Sequence, residues 1–463
     1  RWVDLRADFQ AALVVGIVGL PLYMALAIAS GVRPEHGLYT AIVAGGLIAL
    51  LGGSRVQVSG PTAAAVVVLA PLTASHGWPG LAIATLIAGV LLVGLGVFRL
   101  GRLIEYVPYP VTIGFTAGIA IVLASLQIKD FLGLSLAGVP SGFVERLILL
   151  AEAGYEHFAR ARSWTVIGDV AIGAIALTIL LVWPRISRRV PGPLIAVPIA
   201  TILALGANQF IPGMHVRTIA DEFGGIPHGP PPLTAPWREP PPPAVAGGVG
   251  GAGLVGPPAP SAGLSRASMA VGLGAVQPLR FDTETIRTLI SAGLAIALLG
   301  AMGSLLSATV ADALVHTHHD PDAELLAQGL GNLVAPFFGG FAAAGAVART
   351  GSNIRAGART PLASFMHSLF LLAVMLALAP LLEHLPMSAL AATVLVLARN
   401  MAEMKHVGFL VRFAPRSEDA RAACEQRLVA PQVELEAAHC CASQALELFR
   451  TFHVHLACAP ECV

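Results

Sequence analysis

The chain is poor in charged residues, in aromatic residues and above all in lysine. Asp, Glu, Lys and Arg make up 12% of its 463 residues, aromatic residues make up 6%, and the only lysines are Lys129 and Lys405. Soluble domains carry about 25% charged residues. The 28 basic and 27 acidic groups give a formal net charge of +1, which excludes the strongly basic surface of a nucleic-acid-binding protein and the high net charge of a disordered chain.

Cysteine is absent from most of the chain. All five cysteines lie in the last forty residues, at Cys424, Cys440, Cys441, Cys458 and Cys462. The apolar body therefore has neither a disulfide framework nor a thiolate metal site. The HExxH, P-loop, nucleophile-elbow and paired-carboxylate signatures are missing as well, so we expect no metal, no cofactor and no enzyme activity.

Long apolar runs are what the chain does contain. Hydrophobic residues make up 56% of it, and a mean hydropathy of +0.76 indicates a lipid bilayer as the solvent. A bilayer core about 30 Å thick needs about 20 apolar residues per helix. We predict an all-α, polytopic membrane protein with these runs: Phe9–Ser30, Gly37–Leu51, Pro61–Leu72, Leu81–Phe98, Val111–Leu126, Val166–Trp183 and Leu194–Ile211, then Ile286–Leu314, Glu324–Phe338, Ala342–Ile354, Pro361–Leu382 and Met387–Leu397.

The third run of each half is too short to span a membrane as a regular helix. These runs are Pro61–Leu72 and Ala342–Ile354. Interrupted helices at matching places in two halves are typical of inverted-repeat transporters, whose site lies between the broken helices. Arginines in the short loops favour a cytoplasmic N-terminus.

Two connecting segments carry predictions of their own. The amphipathic stretch Val144–Ala161 is expected to lie along the outer membrane interface. Residues 224–282 form a Pro/Gly-rich insert that we interpret as an external loop. Its GxGxxG match, Gly248–Gly253, lacks the preceding strand and following helix of a dinucleotide site, so we assign it no cofactor.

Residues Gly52–Ala63 run from a polar stretch into an apolar half-helix. We expect Pro61 in the first turn of that helix, where its missing N–H costs nothing. The free N–H groups and positive dipole end of such a helix, placed at mid-membrane, make an anion site without any side-chain charge. The alternative is an ordinary helix start after a tight turn.

The matching segment of the second half, Ala343–Gly357, contains Arg349. A charged side chain at membrane depth costs several kcal/mol, so Arg349 is expected to face a cavity, an acidic partner or an anion. Asp312 either forms a salt bridge with Arg349 or caps a loop. Arg355 and Arg359 are expected to reach the interface.

Several other polar residues are assigned no chemistry. The cluster His316, His318, His319, Asp320 and Asp322 has no metal-ligand spacing and is predicted to be solvated. His367, within an apolar run, is interpreted as a hydrogen-bonded packing residue rather than a proton relay.

An ordered series of motifs resembles the SulP (sulfate permease) family of anion transporters from about Asp8 to Pro415. The motifs are Gly19–Pro21, Ala25–Ala27, Ser30–Gly31, Gly37–Tyr39, Gly53–Arg55, Val58–Ala63, Gly101–Tyr106, Gln328–Asn332, Pro336–Gly340, Ala348–Thr350 and Arg355–Pro361. The resemblance is greatest to the bacterial branch that imports four-carbon dicarboxylates.

The resemblance implies a seven-plus-seven inverted repeat with core and gate domains, in the bacterial inner (plasma) membrane. The anion would lie between the facing ends of the third and tenth helices. The substrate-binding residues would then be Leu22, Leu26, Gly60, Thr62, Ala63, Ala348, Arg349 and Thr350. Tyr23 is added because its phenol could donate to a carboxylate, and a homodimer is expected from the family alone.

Two residues depart from the family pattern within this region. Leu22 replaces a common Gln, which fits the dicarboxylate-like branch. Gly303 stands where the eighth helix usually carries an acid before its serine, which puts proton or sodium symport in doubt. The candidates for coupling are therefore Gly303, Ser307 and Asp312.

A third departure begins after Pro415. Residues 416–463 form a polar, Cys-containing tail with no apolar run of about 20 residues. From this we expect a transport domain over residues 1–415, an incomplete second repeat without the last two gate helices or STAS domain, and as a hypothesis a frameshifted or truncated C-terminus.

The function expected from these observations is secondary transport of dicarboxylates such as succinate, fumarate or aspartate by alternating access, with proton coupling left open. The alternatives are a sulfate or bicarbonate transporter, an uncoupled anion channel or membrane scaffold, and a non-functional truncated carrier.

Overall fold

The computed structural model describes residues 2–102, 109–134, 143–160, 164–187, 191–211, 214–238 and 282–402. Most of the Pro/Gly-rich insert, including its GxGxxG match, lies outside the described residues. So do the whole polar tail and any last gate helices. The incomplete second repeat and the division at residue 415 therefore stay predictions.

Thirteen α-helices and two short strands follow one another along the described parts of the chain. The first half contains α1 (Trp2–Ala29), α2 (Pro34–Leu51), β1 (Ser59–Pro61), α3 (Ala63–Val97), α4 (Tyr109–Phe131), α5 (Phe143–Arg160), α6 (Trp164–Ile186), α7 (Gly192–Phe210) and the short α8 (Ile219–Phe223). The second half contains α9 (Thr283–Val315), α10 (Pro321–Val334) with the 3₁₀ turn Ala335–Phe338, β2 (Ala343–Gly345), α11 (Val347–Arg355), α12 (Pro361–Leu382) and α13 (Met387–Met401).

The chain is a multi-pass membrane protein. Among the described helices, α1, α2, α3, α6, α7, α9 and α12 are long and apolar enough to cross a bilayer. The predicted run Pro361–Leu382 is reproduced at both ends, whereas α1 begins at Trp2, seven residues before the predicted start at Phe9. The predicted amphipathic stretch Val144–Ala161 coincides with helix α5.

The two short strands are absent from the all-α prediction. β1 and β2 pair antiparallel, with Ser59 opposite Gly345 and Pro61 opposite Ala343. Backbone N–H and C=O groups at membrane depth need protein partners, and this pairing supplies some of them. Pro61 therefore ends β1, and the prediction that it lies in the first turn of α3 is wrong, because that helix begins at Ala63.

Helix α3 combines two of the predicted runs. It is interrupted at Gly77, whose φ of 62° and ψ of −162° are not helical. This positive φ is readily adopted only by glycine. The half-helix from Ala63 and the run predicted from Leu81 are thus separate pieces joined by a kink.

The helices divide into two groups. Helices α1, α2, α3 and α9 to α12 pack around the two strands, and we call them the core group. Helices α4, α6, α7 and α13 contact one another, partly through Ile172, Ala176, Ala200 and Ala389, and we call them the gate group. A buried apolar cluster that includes Leu26 and Leu123 joins the two groups.

A polar stripe on α10 supports the backbone before β1. Glu324 is 1% exposed, and its carboxylate accepts hydrogen bonds from Gly53 N (3.1 Å), from Gln57 Nε2 (3.0 Å) and from Gln328 Nε2 (3.2 Å). Gln328 Nε2 also donates to Ser59 Oγ (3.1 Å). Residues four apart share a helix face, so α10 holds the entry to β1 along one stripe.

The same stripe continues to Asn332, which holds β2. Its Nδ2 donates to Ala343 O (3.1 Å), and its Oδ1 accepts from Ala343 N (2.7 Å). Gly89 of α3 and Gly329 of α10 bring the two helices together, since a methyl group on either would lie about 3 Å from the other's carbonyl oxygen. Small residues permit such close crossings in membrane proteins.

We expect Asn332→Ala to destabilise the protein by about 2–4 kcal/mol, because both polar groups of Ala343 would be left buried without partners. Asn208→Ala is the matched control, since Asn208 makes the same pair of bonds to the backbone of Val216. Asn208 is only partly buried, so water can replace its bonds. Thermal unfolding in detergent measures both variants. Equal losses of stability would contradict the role assigned to Asn332.

Candidate functional site

The site is formed first by two helix N-termini that the paired strands bring together. Helix α3 starts after Thr62, and helix α11 starts after Ala346. Neither of these residues makes a side-chain capping hydrogen bond. The first N–H groups of a helix have no partner within it, and the helix dipole places partial positive charge there. Two uncapped N-termini in one place favour an anion between them.

Arg349 adds a full positive charge to this place. It lies in the first turn of α11 and is 6% exposed. Its Nη2 donates to Pro61 O (2.9 Å) and Gly60 O (3.4 Å), so the side chain reaches from the second repeat to the strand of the first. Its Nη1 is buried and has no hydrogen-bond partner among the described residues. One arm of the guanidinium is thus fixed, and the other is available.

Tyr23 of α1 contacts Arg349 through its aromatic ring. Tyr23 is fully buried, and Arg349 Cζ lies 5.0 Å from the centroid of its ring. A guanidinium over an aromatic face is attracted by the ring quadrupole. The Tyr23 hydroxyl and His367 Nε2 are 2.8 Å apart.

Apolar side chains surround these polar groups. Leu26 and Ala63 belong to the same buried cluster as Tyr23, and Leu22 packs against that cluster. Thr62 is partly exposed, and Ala348 is exposed at the N-terminus of α11. The structure thus brings most of the predicted pocket residues to one place, while their roles in binding stay predictions.

Thr350 lies on another side of the helix. Its Oγ1 accepts from Val58 N (3.1 Å) and lies 2.9 Å from Ser307 Oγ. The hydroxyl is therefore occupied in joining α9, α11 and the residue before β1. Any contact with an anion would come from elsewhere on Thr350.

Gly303 and Ser307 are four residues apart and share one face of α9, whereas Asp312 lies in the last turn of that helix. A side chain at Gly303 would meet only Gly345 O, at 3.8 Å. Asp312 accepts from Thr317 Oγ1 (2.8 Å) and His319 N (2.8 Å), and it makes no hydrogen bond to Arg349. Of the two alternatives for Asp312, the structure shows the loop cap.

The histidine-rich turn between α9 and α10 ends one helix and starts the next. His316 caps α9 in the left-handed conformation, with φ of 55°. Asp320 caps α10, and Asp322 accepts from Gly101 N (2.9 Å). The His319 side chain is only 5% exposed and pairs with Asp312, so the prediction that the whole cluster is solvated is wrong for this residue. Among the described residues, no group of His, Cys, Asp and Glu could hold a metal.

Sequence reasoning missed the residues that hold the site in shape. These are Glu324, Gln328 and Asn332 of α10, and Ser304, whose Oγ accepts from Gly345 N (2.9 Å). The signal that could have found the first three is their i, i+4, i+8 spacing inside an apolar segment.

A protein-family model decides where this fold belongs. The model described as the sulfate permease family matches residues 5–256 and 261–417. The chain belongs to the sulfate permease family. The resemblance seen in the sequence is thereby confirmed at the level of the family, and the expectation that the chain is not an enzyme agrees with relatives that are named as transporters.

Two curated relatives of the family illustrate the likeness. The putative sulfate transporter YvdB of Bacillus subtilis is 36% identical over 407 residues, which cover 88% of this chain and 66% of the relative. The bicarbonate transporter BicA of Picosynechococcus is 30% identical over 404 residues, which cover 84% of this chain and 60% of the relative. The chain thus spans less than two thirds of the length of either relative.

Solved structures of the family share the fold. The transmembrane domain of a cyanobacterial bicarbonate transporter BicA matches with a TM-score of 0.71 at 23% identity, covering 97% of both chains. The murine anion transporter Slc26a9 in its inward-facing state matches with a TM-score of 0.69 at 17% identity, covering 96% of this chain and 68% of the other. The inverted-repeat fold of this family is therefore confirmed for this chain.

We expect Gly60→Ala to weaken anion binding at least tenfold, because the added methyl group would lie 2.8 Å from Arg349 Nη1 and displace the guanidinium. A tenfold loss corresponds to about 1.4 kcal/mol. Titration calorimetry with sulfate on detergent-solubilised protein measures the effect. Gly94→Ala is the control, since nothing lies within 4 Å of a methyl group there. Unchanged sulfate binding in Gly60→Ala would show that the position of Arg349 does not matter for sulfate binding.

Proposed function

We propose that this protein is a secondary transporter of small oxyanions that works by alternating access in the plasma membrane. The observation that carries the proposal is Arg349, buried between two uncapped helix N-termini with Nη1 unpartnered among the described residues. All of these groups offer hydrogen-bond donors and positive charge to one place.

The electrostatics of Arg349 support an anion rather than a structural role. Arg349 makes no salt bridge with any described carboxylate, and its fixed arm contacts only backbone carbonyls. A buried charge without an opposite charge is expensive. An anion that binds there supplies the missing negative charge, so binding is favoured at this position.

The class of anion is proposed from the chemistry of the donors together with the relatives. Helix N-termini and a guanidinium fork suit oxygen atoms of sulfate, bicarbonate or carboxylates. The relatives described above are named as sulfate and bicarbonate transporters, so these two anions come first. Four-carbon dicarboxylates, expected from the resemblance to one bacterial branch alone, stay a prediction that the same assay tests.

The division into two helix groups supports a moving carrier. The helix N-termini and Arg349 belong to the core group, which contacts the gate group through a buried apolar cluster. Apolar contacts are not directional, so one group can shift against the other, as alternating access requires. An uncoupled channel with the same fold would show flux that does not saturate and does not depend on a counter-substrate. Homodimerisation stays an expectation from the family.

We expect Arg349→Ala to abolish uptake of labelled sulfate or bicarbonate into proteoliposomes, and Arg349→Lys to retain part of it. Lysine keeps the charge but loses the fork that donates to two groups at once. Arg355→Ala is the matched control on the same helix, because Arg355 is exposed and bonds only to Ser352 within α11. Succinate, fumarate and aspartate are added as competitors.

Uptake by Arg349→Ala at the level of the wild-type protein would show that Arg349 does not bind the transported anion. Equal losses in Arg349→Ala and Arg355→Ala would point to damage to α11 as a whole. Non-saturable flux by the wild-type protein would favour the channel alternative.

We expect uptake to be independent of an imposed sodium gradient. Gly303 offers no side-chain oxygen beside Gly345, and Asp312 is engaged with Thr317 and His319. Hard cations are held by oxygen ligands, and these two candidate positions supply none towards the anion site. Uptake measured with and without inward sodium gives the answer, and a sodium-driven accumulation of anion would contradict it.

A further inference from the structure

His367 of α12 contacts the candidate site but has no part in the function described so far. It is 1% exposed, and its Nε2 lies 2.8 Å from the Tyr23 hydroxyl although the two residues are 344 positions apart. Its Nδ1 is buried and has no hydrogen-bond partner among the described residues. Tyr23 in turn lies against Arg349. The imidazole of His367 thus contacts Tyr23, and Tyr23 contacts Arg349 in the candidate site.

The unpartnered Nδ1 decides which nitrogen carries the proton. A neutral imidazole donates through one ring nitrogen and accepts through the other. A hydrogen on Nδ1 would be a buried donor without an acceptor, and among backbone groups such orphaned N–H groups are rarer than under-satisfied acceptors. The arrangement with hydrogen on Nε2 avoids this. His367 then donates to the Tyr23 oxygen.

We propose that His367 is a positioning residue that turns Tyr23 into a hydrogen-bond donor for the anion, so that the site prefers anions whose oxygens only accept hydrogen bonds over anions that carry a hydroxyl. The proposal rests on the oxyanion site proposed above. With its oxygen occupied by His367 Nε2–H, Tyr23 keeps its own O–H free to donate to an anion held by Arg349, whose Cζ lies 5.0 Å from the centroid of the Tyr23 ring.

The reverse arrangement would give the opposite selectivity. If Tyr23 donated to His367, the phenol oxygen would face the anion as an acceptor and would suit the hydroxyl of bicarbonate. With His367 as the donor, the Tyr23 O–H, Arg349 and the helix N–H groups all present donors to a bicarbonate hydroxyl, and the phenol oxygen is no longer free to accept from it. A donor facing a donor leaves a buried polar group unpartnered.

Nitrate and bicarbonate form a matched pair of probes. Both are planar monoanions of similar size, and only bicarbonate carries a hydroxyl. Titration calorimetry of the 463-residue chain in detergent, at a pH where bicarbonate predominates, gives a dissociation constant for each. We expect wild-type protein to bind nitrate about tenfold more tightly, which is the effect of about 1.4 kcal/mol.

Two substitutions at position 367 separate positioning from packing. His367→Gln keeps an N–H donor near the place of Nε2 and is expected to retain the preference for nitrate. His367→Phe removes the donor, frees Tyr23 to accept or donate, and is expected to bring the two dissociation constants within about twofold of each other. Size-exclusion chromatography checks that each variant is monodisperse.

Tyr23→Phe supplies the second arm of the test. Because His367 acts through the hydroxyl, adding His367→Phe to Tyr23→Phe should change neither dissociation constant further. If His367→Phe fails to fold, the other two variants still test the proposal. We expect His367→Gln to retain the preference for nitrate over bicarbonate and Tyr23→Phe to lose it.

Three results would overturn the proposal. They are a wild-type protein that binds nitrate no more tightly than bicarbonate, a preference unchanged in Tyr23→Phe, and a loss of preference in His367→Gln equal to that in His367→Phe. Calorimetry detects binding without flux, so a failure of transport in proteoliposomes and a failure of this selectivity are separate results.

Discussion

Backbone that leaves a helix inside a membrane domain must find hydrogen-bond partners within the protein, because lipid offers none. Here the chain leaves helical structure twice, before α3 and before α11. The two segments pair with each other as β1 and β2, and α10 holds both from one face through Glu324, Gln328 and Asn332. Contacts from α9, α11 and α12 complete the arrangement: Ser304 accepts from Gly345 N, Asn353 donates to Val56 O, and Ser364 donates to Gln57 O. The helices of the core group pack around this hydrogen-bonded pair of strands.

The same constraint explains why the candidate site lies where it does. Beside the paired strands, α3 and α11 begin without a side-chain cap, and the Nη1 of Arg349 is buried without a hydrogen-bond partner among the described residues. These three groups are donors, and the pairing of β1 with β2 brings the two helix starts together. An anion at this place would accept from all three. The aromatic ring of Tyr23 holds Arg349 in this position, and Leu26 and Ala63 keep the surroundings apolar. Low local polarity strengthens each of the remaining electrostatic interactions.

The membrane helices were predictable because their signal is local: a run such as Pro361–Leu382 is apolar from end to end. The short third run of each half and the burial of Arg349 followed from the same local reading. The strands could not be predicted, since three residues show no period and their pairing joins positions nearly 290 apart, and this is also why Pro61 was placed in the wrong element. The role of Glu324 and the bond from His367 to Tyr23 depend equally on distant partners, whereas Asn332 holds backbone only eleven residues away.

The two repeats match in backbone but not in charge. Counting from the residues that precede the helices, Thr62 and Ala346, the third position is Ala65 in α3 and Arg349 in α11. One repeat therefore contributes a cation, and the other contributes only a dipole. If the site travels with its anion, the empty site carries one positive charge, a site holding a monoanion is neutral, and a site holding a dianion carries one negative charge. Each unit of charge moved across the full membrane potential is worth about 2.3 kcal/mol per 100 mV. The potential thus acts on the return of the empty carrier when the cargo is a monoanion, and on both the loaded and the empty step when it is a dianion.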